Sequence, residues 1–176
     1  RRAGEPLAYL LGQQEFYGRP FAVSPAVLIP RADTETLVET ALEQLLLLRQ
    51  QRRAVPLSLL ELGTGSGIIA ITLALEAPDT EVHAVERSPE ALAVARQNAK
   101  ALGADHIHWH AGSWWQALAR PRRFDLIVSN PPYIAANDHH LQQGDLRFEP
   151  PQALAAGPDG LDDLRILIGG APAHLT

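Results

Sequence analysis

The chain has 176 residues, 46% of them hydrophobic and 20% charged, with a formal net charge of −5: enough apolar material for one domain with a core, and an acidic balance that counts against a nucleic-acid face built on phosphate contacts. Cysteine is absent, which excludes a disulfide framework and thiolate chemistry, and the apolar runs are too short to span a bilayer. Methionine is absent as well, and the chain opens on Arg1-Arg2-Ala3 without a signal peptide, so part of a longer cytoplasmic protein is expected.

In chain order, Leu7, Leu10 and Leu11 stand at near-helical spacing within a short helix or linker, Arg1 to Gln14. Glu15-Phe16-Tyr17, Gly18-Arg19-Pro20 and Phe21-Ala22-Val23 have the form of a β-hairpin with a glycine-containing turn. Leu28-Ile29-Pro30-Arg31 follows as an extended segment. Asp33 or Thr34 can then cap a helix in which Leu37, Ala41, Leu45 and Leu48 form one ridge and Val38, Leu42 and Leu46 the next. Gln50 to Arg53 is its polar end.

From Leu57 the pattern alternates strand and helix, which signals a parallel α/β sheet. A leading region, 1–56, therefore precedes a core, 57–176. The first core strand, Leu57 to Leu62, enters Gly63-Thr64-Gly65-Ser66-Gly67, and Ile68 to Glu76 continues as a helix. Glu81 to Glu86 is the second strand. Ser88 is a natural N-cap with Pro89 behind it, Leu92, Ala95, Ala99 and Leu102 repeat at helical spacing, and Gly103 closes the helix. Ile107 to His110 is the third strand and Phe124 to Ser129 the fourth. Leu161 to Leu175 reads as a helix broken at Gly169-Gly170. Ala135 to Gly160, which holds His139 and His140, is long for a plain connection and is expected to be a lid, a docking loop or a carrier of a short helix.

Three features carry chemistry. The glycine-rich turn lets a ligand approach the backbone and presents helix N-terminal N–H groups. Ile68 stands where the dinucleotide fingerprint needs glycine, and the P-loop lysine is missing. Glu86, about 20 residues beyond the loop, is placed for ribose hydroxyls. Asn130-Pro131-Pro132-Tyr133 ends the fourth strand as a rigid turn. The prolines hold it extended and donate nothing, so the Asn130 and Pro131 carbonyls and the Asn130 side-chain oxygen can converge as neutral acceptors on a planar amino group, with Tyr133 as an aromatic wall. Each feature alone has a plainer reading: a structural turn, a solvated strand-end acid, an Asn-Pro turn. Together they lie on the carboxyl edge of one sheet, where open α/β sheets bind ligands.

His106, His108 and His110 alternate along one strand face, but without cysteine or carboxylate at ligand spacing they read as solvent-facing, and no metal is expected. Trp115 reads as core, and the arginines from Arg120 to Arg123 as a solvated surface.

Glu61 to Gly67, Glu86 and Asn130 to Tyr133 together resemble the S-adenosylmethionine-dependent methyltransferases with an Asn-Pro-Pro-Tyr motif. Gly4 to Leu10 with Glu15 to Gly18, Leu28 to Glu35, and Phe148 to Pro150 with Asp159 to Leu161 extend the resemblance, over nearly the whole chain, to the HemK/PrmC release-factor glutamine methyltransferases. Two positions depart from that pattern: the family usually has Asp where Glu86 stands, and Pro is common at Ala32. The resemblance implies a Rossmann-like class I α/β fold, doubly wound and mostly parallel, with an N-terminal hairpin and further strands beyond Thr176. It implies S-adenosylmethionine as cofactor, its methionine portion at Gly63, Thr64, Gly65, Ser66 and Gly67, its ribose at Glu86 and its adenine beside Trp114, with Ser113 a weaker candidate. Asn130, also expected among the cofactor-binding residues, and Pro131 would grip a glutamine amide, followed by Pro132, with Tyr133 packing on its plane. The implied substrate is a peptide-chain release factor; a ribosomal-protein glutamine, a DNA or RNA amino group, and a non-catalytic cofactor-binding fragment are the alternatives.

Overall fold

The computed structural model describes residues 4–52, 56–119 and 122–176; the expectations at Arg1 to Ala3, Arg53 and Arg120 lie outside them. Helix α1 (Leu7–Leu11) leads into strands β1 (Gln13–Phe16) and β2 (Arg19–Ala22), which pair antiparallel. The turn between them is Tyr17-Gly18 rather than Gly18-Arg19-Pro20, and Pro20 lies within β2 opposite Glu15. Both turn residues have positive φ, 52° and 71°, the two-residue geometry whose twist matches a hairpin. Glu35 Oε1 accepts from the Tyr17 N–H at 2.9 Å and Glu15 Oε1 from the Gly18 N–H at 2.6 Å, which holds tyrosine in a conformation it rarely adopts. Phe16 and Phe21 point inward from the hairpin and meet edge to face.

Helix α2 (Asp33–Gln51) buries Thr34, Val38, Ala41 and Leu45 along one stripe. The second expected ridge is only partly inside, because Leu46 is 59% exposed. No side chain caps this helix; the N-cap position is Ala32. The Thr34 hydroxyl is thereby left for another partner.

Strands β3 (Leu57–Leu62), β4 (Thr80–Glu86), β5 (His108–Ala111) and β6 (Leu126–Val128) form one sheet in the order β5-β4-β3-β6 with every pairing parallel. Helices α3 (Ile68–Glu76) and α4 (Pro89–Leu102) make the crossovers, and Ser88 caps α4 by accepting from the Ala91 N–H at 3.1 Å. One core cluster joins Leu59, Val82 and Ala84 of the sheet to α2, α3 and the hairpin phenylalanines, so the leading region shares the sheet's main core. The opposite face buries Leu60, Leu62 and Val85 against Phe124 and helix α5 (Asp162–His174). Helices thus cover both faces, and the strand order reverses between β3 and β6. Loops leaving those two strands flank the switch point, where such sheets bind ligands.

Helix α5 runs without a break through Gly169-Gly170. Gly170 is there for closeness: a Cβ on it would lie 2.1 Å from Trp115 Nε1. Trp115 donates to the Ile166 carbonyl at 2.9 Å and stacks on His174, so it packs against α5. Strand β6 is shorter than expected because Phe124 leaves the β3 pairing and bridges Leu175. Its N–H donates to the His174 carbonyl and its carbonyl accepts from Thr176, which covers that part of the edge. Between Ala135 and Gly160 the chain forms three short 3₁₀ turns, at His139–Gln142, Leu146–Phe148 and Pro151–Ala153.

The histidine strand departs from expectation. His106 and His108 are exposed, but His110 turns in toward His83 of β4, its Nε2 2.8 Å from His83 Nδ1. Burial, with Arg122 nearby, pushes His83 down to about 4. Arg122 itself is paired, 2.7 Å from Glu81, rather than simply solvated. Among the described residues no helix is long and apolar enough to cross a membrane.

Candidate active site

The turn after β3 is built around its glycines. Gly63, Gly65 and Gly67 all have positive φ, 79°, 57° and 86°. A Cβ on Gly67 would meet Ile71 Cδ1 at 2.7 Å and Ala95 Cβ at 3.2 Å, so this glycine lets α3 and α4 close on each other. A Cβ on Gly63 would press on the Trp114 ring at 3.2 Å. Asn98, buried on α4, ties the turn to the hairpin: its Nδ2 donates to the carbonyls of Ser66 (2.9 Å) and Ala22 (3.0 Å), and its Oδ1 accepts from the Ala22 N–H (2.7 Å).

Two acids organise the same turn. Glu86 accepts from the Gly65 N–H at 2.8 Å on one oxygen and from the Ser88 N–H at 2.9 Å on the other. It therefore fixes the glycine loop as well as facing the cavity, and each oxygen keeps a second lone pair for a ligand hydroxyl. Glu61 is fully buried at the end of β3. Its Oε2 accepts from Thr64 Oγ1 (2.5 Å) and the Ala70 N–H (3.0 Å), while Oε1 is buried with no partner among the described residues. Burial raises Glu61 to about 7 despite those two donors. Its role was not anticipated, although an acid in the otherwise apolar run Leu57 to Leu62 is a visible signal.

These groups line one cavity of about 890 Å³, open mouth included, together with Trp114, Asn130, Pro131 and Pro132. Gly63, Thr64, Gly65 and Ser66 belong to the lining; Gly67 sits behind it. Trp114, at a strained φ of 45°, is anchored from its far edge by donating to Asp163 Oδ1 at 3.1 Å. Its position against Gly63 leaves an aromatic wall for a flat ligand.

A second cavity of about 760 Å³ adjoins the first, and Tyr133 belongs to it rather than to the first. Tyr133 is 65% exposed there, beside Leu37, Leu146 and Leu154. Asn130 and Pro131 line both cavities. Asn130 Nδ2 donates to Thr34 Oγ1 at 3.3 Å, which leaves Oδ1 as the free end of the amide. No backbone N–H among the described residues bonds to the carbonyl of Asn130 or Pro131. The turn is held from beneath by Gly160, where a Cβ would fall 2.4 Å from the Tyr133 carbonyl oxygen, and from the side by Ser129 Oγ donating to the Leu62 carbonyl at 2.6 Å.

The flanking segments meet at the cavity mouth. Glu149, buried, accepts from the Ile29 N–H at 3.0 Å and pairs with Arg31, and Tyr9 donates to the Val27 carbonyl at 2.7 Å. Ala26, Val27, Leu28, Pro30 and Arg31 thereby join Pro150, Gln152 and Ala153 in the cavity lining. Chemically, one chamber offers acid and backbone groups to a polar, partly flat ligand. The other offers an apolar trough, and neutral acceptors stand where they join.

Comparison with known proteins places these features in a family. The model of the methyltransferase small domain matches residues 40–148. The chain is 57% identical over 175 residues to a release factor glutamine methyltransferase of Bordetella pertussis, covering 99% of the chain and 62% of that protein. It is 54% identical to one of Xylella fastidiosa, covering 99% and 61%. It spans about three fifths of the length of these curated relatives. A crystal structure of a methyltransferase from Pyrococcus furiosus, 18% identical, superposes with a TM-score of 0.58 over 92% of this chain and 66% of that one, a likeness of fold. With the doubly wound sheet, the glycine-rich turn and the Asn130–Tyr133 motif, the chain belongs to the methyltransferase small-domain family.

Proposed function

We propose that this protein is a cytoplasmic enzyme that transfers a methyl group from S-adenosylmethionine to the side-chain amide nitrogen of a glutamine in a peptide-chain release factor. The observation that carries the proposal is that Asn130 and Pro131 line both cavities at once.

The first cavity fits S-adenosylmethionine by its own unsatisfied chemistry. Glu61 Oε1, buried and unpartnered, is an acceptor for an ammonium. Gly63 to Ser66 leave room for the methionine portion, Glu86 has lone pairs for ribose hydroxyls, and Trp114 offers a face to adenine. When bound, this cofactor supplies an electrophilic methyl on a sulfonium sulfur.

The protein's task is then alignment. An amide nitrogen is a poor nucleophile because its lone pair is delocalised. Asn130 Oδ1 and the Pro131 carbonyl, accepting from the two N–H bonds, turn the nitrogen lone pair toward the first cavity. As the nitrogen gains its carbon bond it becomes more acidic, and fixed neutral acceptors stabilise the developing positive charge without a titrating base. Positioning of this kind supplies on the order of 7 to 11 kcal/mol in well-oriented systems. The proton leaves to water through the exposed second cavity.

The second cavity supports a peptide as substrate. Leu28, Leu37, Leu146, Leu154 and Tyr133 line it, and Arg31, the one arginine among its described lining residues, is paired with Glu149. The formal charge of −5 also counts against a phosphate backbone. The names of the relatives from Bordetella pertussis and Xylella fastidiosa point to a release factor.

Transfer of a radiolabelled methyl group by the full-length protein tests the proposal. Offered separately a release factor, the same factor with its acceptor glutamine changed to alanine, a ribosomal protein and duplex DNA, the enzyme labels only the first. Label confined to nucleic acid or to the ribosomal protein would overturn the substrate assignment.

A further inference from the structure

At the end of β4 remote from Glu86, parallel pairing brings His83 beside His108 of β5, and Glu81 lies two residues before His83 on the same strand face. Glu81 Oε1 is 3.3 Å from His83 Nε2 and 3.4 Å from His108 Nε2, and one donor atom from each of the three lies within 4.8 Å of the others. A tetrahedral ion with bonds of about 2.0 to 2.1 Å requires donor atoms about 3.3 to 3.4 Å apart. His83 is only 2% exposed, and its Nε2 is buried with Glu81 Oε1 close by but with no well-aligned hydrogen bond among the described residues.

We propose that Glu81, His83 and His108 form a binding site for a divalent transition-metal cation of the zinc type, separate from the methyl-transfer cavity. Two imidazoles and one carboxylate select such an ion over magnesium or calcium, which prefer oxygen alone. His83 Nδ1, 2.8 Å from His110 Nε2, gives the inner ligand its support: with the proton on Nδ1 donated to His110, the Nε2 lone pair faces Glu81 and His108. Arg122 holds Glu81 Oε2 at 2.7 Å and leaves Oε1 free to ligate. The rings of His83 and His108 stack at 4.5 Å, so His108, exposed on the rim, is the ligand that swings about its side-chain bonds to direct its lone pair at the ion. The guanidinium of Arg122 opposes a second cation and so weakens the site. Three protein donors leave a fourth position for water.

In the sequence no carboxylate stands at ligand spacing from His106, His108 and His110, and no metal is expected there. Glu81 supplies it from the neighbouring strand, and His83 replaces His106 and His110 as ligand. An exposed trio, Asp138, His139 and His140, also clusters, but it consists of three successive residues on a loop with no buried donor, so it serves as the control.

The test is a zinc titration of the untagged, chelator-treated full-length protein against a chromophoric competitor, repeated with cobalt to read the absorption of a tetrahedral centre. One equivalent binds in the micromolar range with a tetrahedral cobalt spectrum. His108→Ala and Glu81→Gln, both rim substitutions that leave the core intact, each weaken it by more than about tenfold, and His140→Ala leaves it unchanged. Absence of zinc binding in the parent protein, binding that survives His108→Ala, or binding lost in His140→Ala would each overturn the site. None of these readouts depends on methyl transfer.

Discussion

The side-chain amide of Asn130 donates from Nδ2 to Thr34 Oγ1 at 3.3 Å, across 96 residues of chain. Thr34 is buried in the first turn of α2, whose N-terminus has no side-chain cap. Accepting here, its hydroxyl holds the Asn130 amide with Oδ1 turned away from α2, the orientation the proposed grip on a substrate amide needs. Without it the amide is free to turn its NH2 toward the substrate nitrogen, where a donor would meet a donor.

Thr34→Val, which keeps the shape and removes the acceptor, is therefore expected to lower kcat/KM by about ten- to a hundredfold, on the order of 1 to 3 kcal/mol for a partly buried donor left unpaired. Thr34→Ser restores most of it. Affinity for S-adenosylmethionine, measured by calorimetry, stays the same in both variants. Equal loss in Val and Ser variants would mean that the methyl group's packing matters rather than the hydroxyl.

Glu61 yields a pH prediction whose sign follows from its environment. Its folded-state pKa is raised from 4.5 to about 7, so between those values the native state holds a proton that the unfolded chain has lost. Stability attributable to this group is fully present below pH 4.5 and lost as pH rises through 7, by on the order of 3 kcal/mol. Glu61→Gln, which mimics the protonated form, should remove that dependence: the denaturant midpoint of the variant gains on the parent between pH 5 and pH 8. A constant difference between the two proteins over that range would show that Glu61 is ionised throughout.

Asn98 connects three elements through hydrogen bonds to Ala22 and Ser66. Asn98→Ala strands a part-buried N–H and carbonyl of Ala22 and the Ser66 carbonyl, and a loss of about 2 to 4 kcal/mol in unfolding free energy is expected. Because Ser66 belongs to the glycine-rich turn, cofactor affinity should fall with stability. Thermal melts with and without S-adenosylmethionine measure both.

Local grammar carried much of this in advance. The glycine-rich turn, Glu86, Ser88 and Asn130 to Tyr133 were legible because each is set by residues a few positions apart: a strand, its breaker, the next helix cap. What depends on register between distant segments was not. The Tyr17-Gly18 turn relies on Glu35 from α2, and the carboxylate beside His108 comes from the next strand, 27 residues earlier in the chain. Thr34 looked like a cap because its position fits one; its partner lies beyond β6. Gly169-Gly170 resembled a helix break only because Trp115, the ring Gly170 makes room for, cannot be seen from the sequence.

On the proposed mechanism Asn130 grips the accepting amide while contributing little to cofactor binding. Paired measurements on Asn130→Ala test it most directly: calorimetric affinity for S-adenosylmethionine, and single-turnover methyl transfer into a release factor. The expected result is an affinity within a few-fold of the parent and a transfer rate lowered by about 10²- to 10³-fold, as when one preorganised polar group is removed from a reacting centre. Near-parental transfer, or a lost rate that merely tracks lost cofactor affinity, would contradict it.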